Sequence, residues 1–246
     1  MLNNGAASYT DRLTNIAANI ESNKNRLWPA TVSVSDPIQI VCFGPSLRRT
    51  WELIDLTYPI VTVSGAHDFL RGKGITPTHH VEFDWRPHKA RHVNDPGDTL
   101  FWLASCVSPD LVAKVRNPSL WHAEQSLEEI KFIRQRETAA WFVPGGSSAG
   151  LRALELFIAT GFRNFEIFGM DSSFDDKFGG WAGQHHGPRR ADVIELPYEG
   201  RKFRTSVPFL MYADQFQHCK RIHGDCIFNL HGDGLLQVMN NKEKSA

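Results

Sequence analysis

A chain of 246 residues with 27 Lys plus Arg against 27 Asp plus Glu has no formal net charge, and so lacks the basic excess of a general nucleic-acid binder. Apolar residues at 41% and charged residues at 22% supply a substantial core, which excludes extended disorder and suits one large domain better than two small ones. Cys42, Cys106, Cys219 and Cys226 contain no CxxC pair and read as free thiols, so a reducing, cytoplasmic setting is the expectation. The polar start, residues 1–23, has no apolar stretch of the kind a signal peptide or membrane span needs, and no membrane partner is expected.

In chain order, Leu13, Ile16, Ala17 and Ile20 form one apolar stripe and predict an amphipathic helix over Ser8 to Lys24. With the extended run behind it, this helix makes residues 1–36 a lead-in. Strands are predicted at Ile38–Phe43, Ile60–Val63, His80–Phe83, Thr99–Ala104, Ser119–Trp121, Ala140–Val143, Asn164–Phe168 and Cys226–Asn229. Helices are predicted at Leu47–Ile54, His67–Arg71, Pro109–Val115, Leu127–Arg136, Ser148–Thr160 and Pro208–Ile222. Strands that are near-continuous apolar runs, separated by helices, imply an α/β, Rossmann-like domain over 37–239, its mostly parallel sheet covered by helices on both faces. Asp171 to Pro197 breaks the rhythm with Gly, Asp, His, Arg and aromatic residues, and reads as a long functional flap. Val193–Leu196 and Arg201–Thr205, joined across Glu199-Gly200, predict a small hairpin, and residues 240–246 read as a polar tail.

In such folds ligands bind beyond the carboxyl ends of the strands, so the residues that follow each strand are the candidate site. The first strand stops at Gly44, Pro45 and Ser46, a strand-to-helix turn of the kind that binds anions through helix-start amides. Ser46 suits both an N-cap and a hydroxyl donor to phosphate. The same grammar returns at Gly145, Gly146, Ser147 and Ser148, and Gly65 and Ala66 follow the second strand. Together these nine residues form the candidate nucleotide site.

Asp84 and Asp171 each follow an apolar strand. The pair suits Mg²⁺ held against a polyphosphate, and helix capping or loop hydrogen bonding is the alternative. Arg86 is placed to neutralise a phosphate or carboxylate, and with His88, Ser172 and Ser173 forms the candidate substrate side. His185 and His186 in the flap are candidate general bases. Eleven histidines without an HExxH give no zinc signature. The P-loop and GxGxxG patterns are also missing, which removes two common readings.

The run Ile40-Val41-Cys42-Phe43-Gly44-Pro45-Ser46-Leu47 resembles a G-x-G-P-S-L signature, with Cys42 where glycine is more usual. Gly145 to Leu154, then Gly161-Phe162 and Phe168-Gly169-Met170-Asp171-Ser172-Ser173-Phe174, resemble a second signature of the same family, and Ile75-Thr76-Pro77 leading to Phe83-Asp84 resembles the segment between. The family is that of 6-hydroxymethylpterin diphosphokinase MptE-like proteins, similar to the central domain of motility-associated flagellin glycosyltransferases and, more distantly, to a class of bacterial sialyltransferases. The resemblance implies a nucleotide at Gly44, Pro45 and Ser46, and metal or substrate binding at Asp84 and Asp171. It implies Mg²⁺-dependent diphosphoryl transfer from ATP to a pterin-like alcohol or, alternatively, glycosyl transfer from a CMP-activated acidic sugar that needs no metal. A nucleotide-binding protein without turnover is the reading from another class. The expected partners are a nucleotide and a small-molecule or glycan acceptor, with self-association into a homo-oligomer left open.

Overall fold

A computed structural model describes residues 4–177, 179–183 and 192–243. Its centre is an eight-stranded sheet in the order β10-β7-β1-β2-β3-β4-β5-β6, every neighbouring pair parallel. The strands are β1 (Val34–Val41), β2 (Ile60–Val63), β3 (His79–Glu82), β4 (Leu100–Ala104), β5 (Ser119–Ala123), β6 (Phe142–Val143), β7 (Phe162–Phe168) and β10 (Ile227–His231). An antiparallel hairpin of β8 (Ile194–Tyr198) and β9 (Arg201–Thr205) stands apart from this sheet. The chain runs outward from β1 to β6, then returns to place β7 on the other side of β1. The order therefore reverses at β1, which is where a parallel sheet opens a crevice.

Period-two alternation in β1 explains why both faces are covered. Ile38 and Ile40 pack into a core with α6 (Ala149–Ala159), through Leu151, Leu154 and Ile158, whereas Val41 joins Leu47 of α2 (Leu47–Thr50) and Ala66 and Leu70 of α3 (Ala66–Arg71) in a second cluster. β3 divides its adjacent histidines in the same way. His79 meets Trp102 and Phe157, while His80 lies against His67 and Phe101. Burial, with His67, His92 and Lys89 nearby, holds His80 well below its ordinary pKa, so it packs as a neutral ring bonded to Thr62.

α6 is the central helix, buried from Gly150 through Ile158. A Cβ on Gly150 would come within 2.7 Å of the Cys42 sulfur and 2.9 Å of the Met170 methyl, so glycine here lets the start of α6 sit against the ends of β1 and β7. Arg152, inside α6, donates to the carbonyls of Val143 and Glu124 and ties the ends of β5 and β6 together. Its burial pushes its pKa down to about 10.

The remaining helices are α1 (Asn4–Ser22), α4 (Pro109–Lys114), α5 (Leu127–Arg134), α7 (Val207–Ile222) and α8 (Leu235–Glu243). Two sequence expectations change here. Residues 1–36 are more than a lead-in: α1 is stapled to the loops behind β3 and β4, because Asn15 donates to the carbonyls of Trp85 and Cys106, and Asn19 to those of Ser105 and Val107. The predicted tail also contains the end of α8, with Asn240 1% exposed and accepting from Lys220. Leu235 and Leu236 bury the start of that helix, and its polar end hides its presence in the sequence. Among the described residues no helix is long and apolar enough to cross a membrane.

Candidate functional site

The strand-order reversal opens into a cavity of about 560 Å³ at the carboxyl edge of the sheet. Four pieces of chain wall it: Gly44 and Pro45 after β1, Gly169 to Phe174 after β7, Glu82 to Arg86 after β3, and Ser147 to Leu151 at the start of α6. Trp181 from the flap, with Phe209 and Tyr212 of α7, adds an aromatic wall. The flap is tied down where the Ala182 amide donates to the Phe43 carbonyl. Two non-glycine residues with left-handed backbone, Ser64 at φ 53° and Ser172 at φ 51°, line this cavity, a concentration of backbone strain of the kind found at functional sites.

The turn after β1 does not present its amides to the cavity. The Ser46 N–H donates to Asp171 Oδ2 at 2.8 Å and the Ser46 hydroxyl to Asp171 Oδ1 at 2.5 Å. Gly44 N–H donates to the Gly169 carbonyl, and Leu47 N–H to the Gly44 carbonyl. Ser46 is accordingly 1% exposed and stands behind the cavity wall. The expectation of a phosphate at this serine changes because the loop after β7 supplies an internal anion in its place. A Cβ on Gly44 would fall 2.4 Å from the Gly169 carbonyl and 2.5 Å from Asp171, so this glycine permits the close approach of the two loops.

Asp171 is thus a brace. Its carboxylate takes the two Ser46 donors and Gln237 Nε2, which uses three of its four acceptor sites. Burial raises its pKa, opposed by the hydrogen bonds from Ser46 and Gln237. Burial, together with the Asp171 charge, pushes the neighbouring Cys42 thiol up to about 12, which removes it as a nucleophile.

Across the cavity lies a charged cluster. Arg86 grips both oxygens of Asp84 through Nε and Nη2, and Lys89 Nζ lies 3.6 Å from Asp84 Oδ2 and 2.8 Å from Ser64 Oγ. Burial disfavours the Asp84 charge, but the bonds and charges of Arg86 and Lys89 outweigh it and pull the group down to about 2. Glu82 behaves oppositely. It is 1% exposed, its Oε1 accepts from the Phe83 and Asp84 amides, and burial raises its pKa against the pull of Lys89. Arg12, Arg86 and Lys89 are the cations among the residues that line the cavity.

This donor set does not fit a Mg²⁺ ion shared by Asp84 and Asp171. One carboxylate is consumed by Ser46 and Gln237, and the other is closed by a guanidinium with an ammonium beside it. The start of α6 is different. Ser147 is fixed by Gln215, the Ser148 hydroxyl caps the Leu151 amide, and Ala149 and Gly150 line the cavity at the positive end of an eleven-residue helix.

Of the residues singled out in the sequence, Gly44, Pro45, Asp84, Arg86, Ser147, Ser148, Asp171, Ser172 and Ser173 line the one cavity. Gly65 and Ala66 start α3 beneath the Phe43 ring, Gly145 and Gly146 turn against Glu155 and Leu151, and His88 faces His92, so none of these five lines it. His185 and His186 lie outside the described residues. The sequence reading missed Arg12, Glu82 and Lys89, whereas Ser64 directly follows the second strand and lines the cavity as such a residue should. Glu82 alone carried a signal, as an acid inside an otherwise apolar strand pattern. Arg12 reaches the wall from α1, held by Glu129 at 2.8 Å.

A search of curated proteins finds no match. Among solved structures, the MAf glycosyltransferase from Magnetospirillum magneticum superposes with a TM-score of 0.69 at 14% identity, which establishes a shared fold. The superposition covers 97% of this chain and 41% of that enzyme, so the chain spans about two fifths of its length. The sequence profile of the 6-hydroxymethylpterin diphosphokinase MptE-like family matches residues 11–177, more than half of the chain. By that match the chain belongs to the 6-hydroxymethylpterin diphosphokinase MptE-like family.

Proposed function

We propose that this chain is a nucleotide-dependent transferase that holds its donor's phosphate between the first turn of α6 and the cations Arg86 and Lys89. One observation carries this reading: the start of α6, Arg86 and Lys89 line a single cavity at the strand-order reversal, and the aromatic side chains Trp181, Phe209 and Tyr212 border it. An anion satisfies the first requirement, and a ring, whether base or sugar, the second. Family membership and the fold shared with a glycosyltransferase support transfer chemistry.

Glycosyl transfer from a CMP-activated acidic sugar is the form the site favours, because Asp84 and Asp171 are already engaged and the leaving phosphate would meet fixed positive charge. Arg86 and Lys89 would stabilise the negative charge that grows on the departing nucleotide, and the helix start would orient it. Diphosphoryl transfer from Mg²⁺-ATP to a pterin-like alcohol is the second reading, favoured by the family description. The aspartate pair gives that reading no metal site.

Thermal shifts with CMP, CDP and ATP, each with and without Mg²⁺, test the proposal on the wild type and on Arg86→Gln. Stabilisation by CMP or CDP without metal, weakened about tenfold in apparent affinity by Arg86→Gln (about 1.4 kcal/mol), is the expected result. CMP release from a CMP-sugar would then separate an enzyme from a binding protein. Stabilisation by ATP only with Mg²⁺ would transfer support to the second reading, and no shift with any ligand would overturn the nucleotide site.

A further inference from the structure

Away from this cavity, α6 and α7 meet through three side chains of unusual composition. Glu155 lies on α6, Cys219 lies in the last turn of α7, and His223, four residues on, caps the carboxyl end of that helix. Among the described residues this is the one group in which three His, Cys, Asp or Glu side chains bring ligand-type atoms together, all within 4.8 Å of one another. Glu155 Oε2 and His223 Nε2 are 2.9 Å apart. Glu155 and Cys219 are buried, with Glu155 5% and Cys219 3% exposed, while His223 is partly open to solvent.

Burial, donor chemistry and position agree. A buried carboxylate beside a thiol and an imidazole presents one oxygen, one sulfur and one nitrogen, the mixture that a borderline-soft divalent ion such as Zn²⁺ prefers over Mg²⁺ or Ca²⁺. The site lies at the carboxyl end of a sixteen-residue helix, whose unpaired carbonyls carry partial negative charge and favour a cation. Two ligands from one turn and a third from the facing helix would lock α7 onto the central helix. The partly exposed His223 leaves a side from which an ion can enter and water can fill a fourth position.

We propose that Glu155, Cys219 and His223 form a zinc-binding site joining α6 to α7, with solvent as the fourth ligand. On binding, the Cys219 S–H bond breaks and its proton passes to solvent as the sulfur–metal bond forms; Glu155 and His223 each donate a lone pair, and nothing is oxidised or reduced.

The test is titration of the metal-free 246-residue chain with Co²⁺ alone, a spectroscopic substitute for Zn²⁺. One equivalent should produce thiolate-to-cobalt charge-transfer absorption and the visible bands of a four-coordinate ion, and one equivalent of Zn²⁺ should abolish both. Cys219→Ser should remove the charge-transfer band, and His223→Ala should weaken binding at least tenfold. Because Cys219 is buried, circular dichroism first establishes that both variants fold, and the partly exposed His223 supplies an independent variant should Cys219→Ser fail. Cys226→Ser, on the next turn of chain, should leave the band unchanged. A wild-type chain without thiolate–cobalt absorption overturns the site. So does a band that survives Cys219→Ser and is lost with Cys226→Ser.

Discussion

The turns after β1 and β6 are written in the same residues and do different work. Gly44-Pro45-Ser46 and Gly145-Gly146-Ser147-Ser148 both end an apolar strand with small residues and a serine before a helix. The first leads into the four-residue α2, and its serine is taken up by Asp171; Ser46 forms no side-chain cap bond. The second leads into the eleven-residue α6, where Ser148 caps Leu151 and the helix start faces the cavity. Strand-turn-serine is therefore a geometry and not a function. What distinguishes the two is whether another part of the fold already supplies the anion.

The comparison breaks most directly at Asp171. Asp171→Ala removes the acceptor for the Ser46 amide, the Ser46 hydroxyl and Gln237, all buried, and should destabilise the protein by about 3 kcal/mol in urea unfolding. Asp171→Asn, which keeps one oxygen but turns an N–H₂ toward a donor, should cost less. A metal-ligand role predicts the reverse pattern, with stability intact in Asp171→Asn and metal-dependent activity lost.

The opposite wall can be read through its pH response. Asp84 has a folded pKa of about 2, below its ordinary value, so its contribution is fully present above about pH 4 and is lost as pH falls from 4 toward 2. The shift corresponds to about 2 kcal/mol. Glu82 and Asp171, whose pKa values burial raises, have the opposite sign: their ionisation costs the folded state as pH rises through their folded pKa values. Asp84→Asn should therefore flatten the loss of stability between pH 4 and 2. An acid limb as steep as wild type would show that the Arg86 and Lys89 cage does not act on this carboxylate.

Much of the sheet was legible because its signals are local. Buried apolar runs mark β2 at Ile60–Val63, and the Glu199-Gly200 turn marks the hairpin. The placement of Gly44, Asp84, Arg86 and Ser148 around one cavity also followed, because ligands lie beyond the strand ends in any parallel sheet. The assignments that changed depend on distance in sequence. Ser46 and Asp171 are 125 residues apart, and no pattern around Ser46 reveals that its donors are occupied. Lys89 lies in a 3-10 turn (Pro87–His92) and joins Asp84 and Ser64 only after β2 and β3 pair. Arg12 reads as part of a lead-in until the amides of Asn15 and Asn19 fix α1 against the loops of β3 and β4.

The smallest effect sharpens the comparison furthest, because it separates capping from ligand binding in one residue. Ser148→Ala removes the cap on the Leu151 amide and should cost about 1 kcal/mol. A loss of that size in thermal unfolding, with nucleotide-induced stabilisation also reduced, would assign Ser148 both roles, since the same residue lines the cavity. The same loss with unchanged nucleotide stabilisation would confine it to the cap and leave Ala149, Gly150 and the cations to hold the phosphate. Ser46→Ala is the matched control. It strips one hydrogen bond from buried Asp171 but removes no side chain that lines the cavity, so it should lower stability while leaving nucleotide affinity unchanged. If instead Ser46→Ala weakened the nucleotide and Ser148→Ala did not, the two turns would have exchanged roles, and the phosphate would belong to the turn after β1.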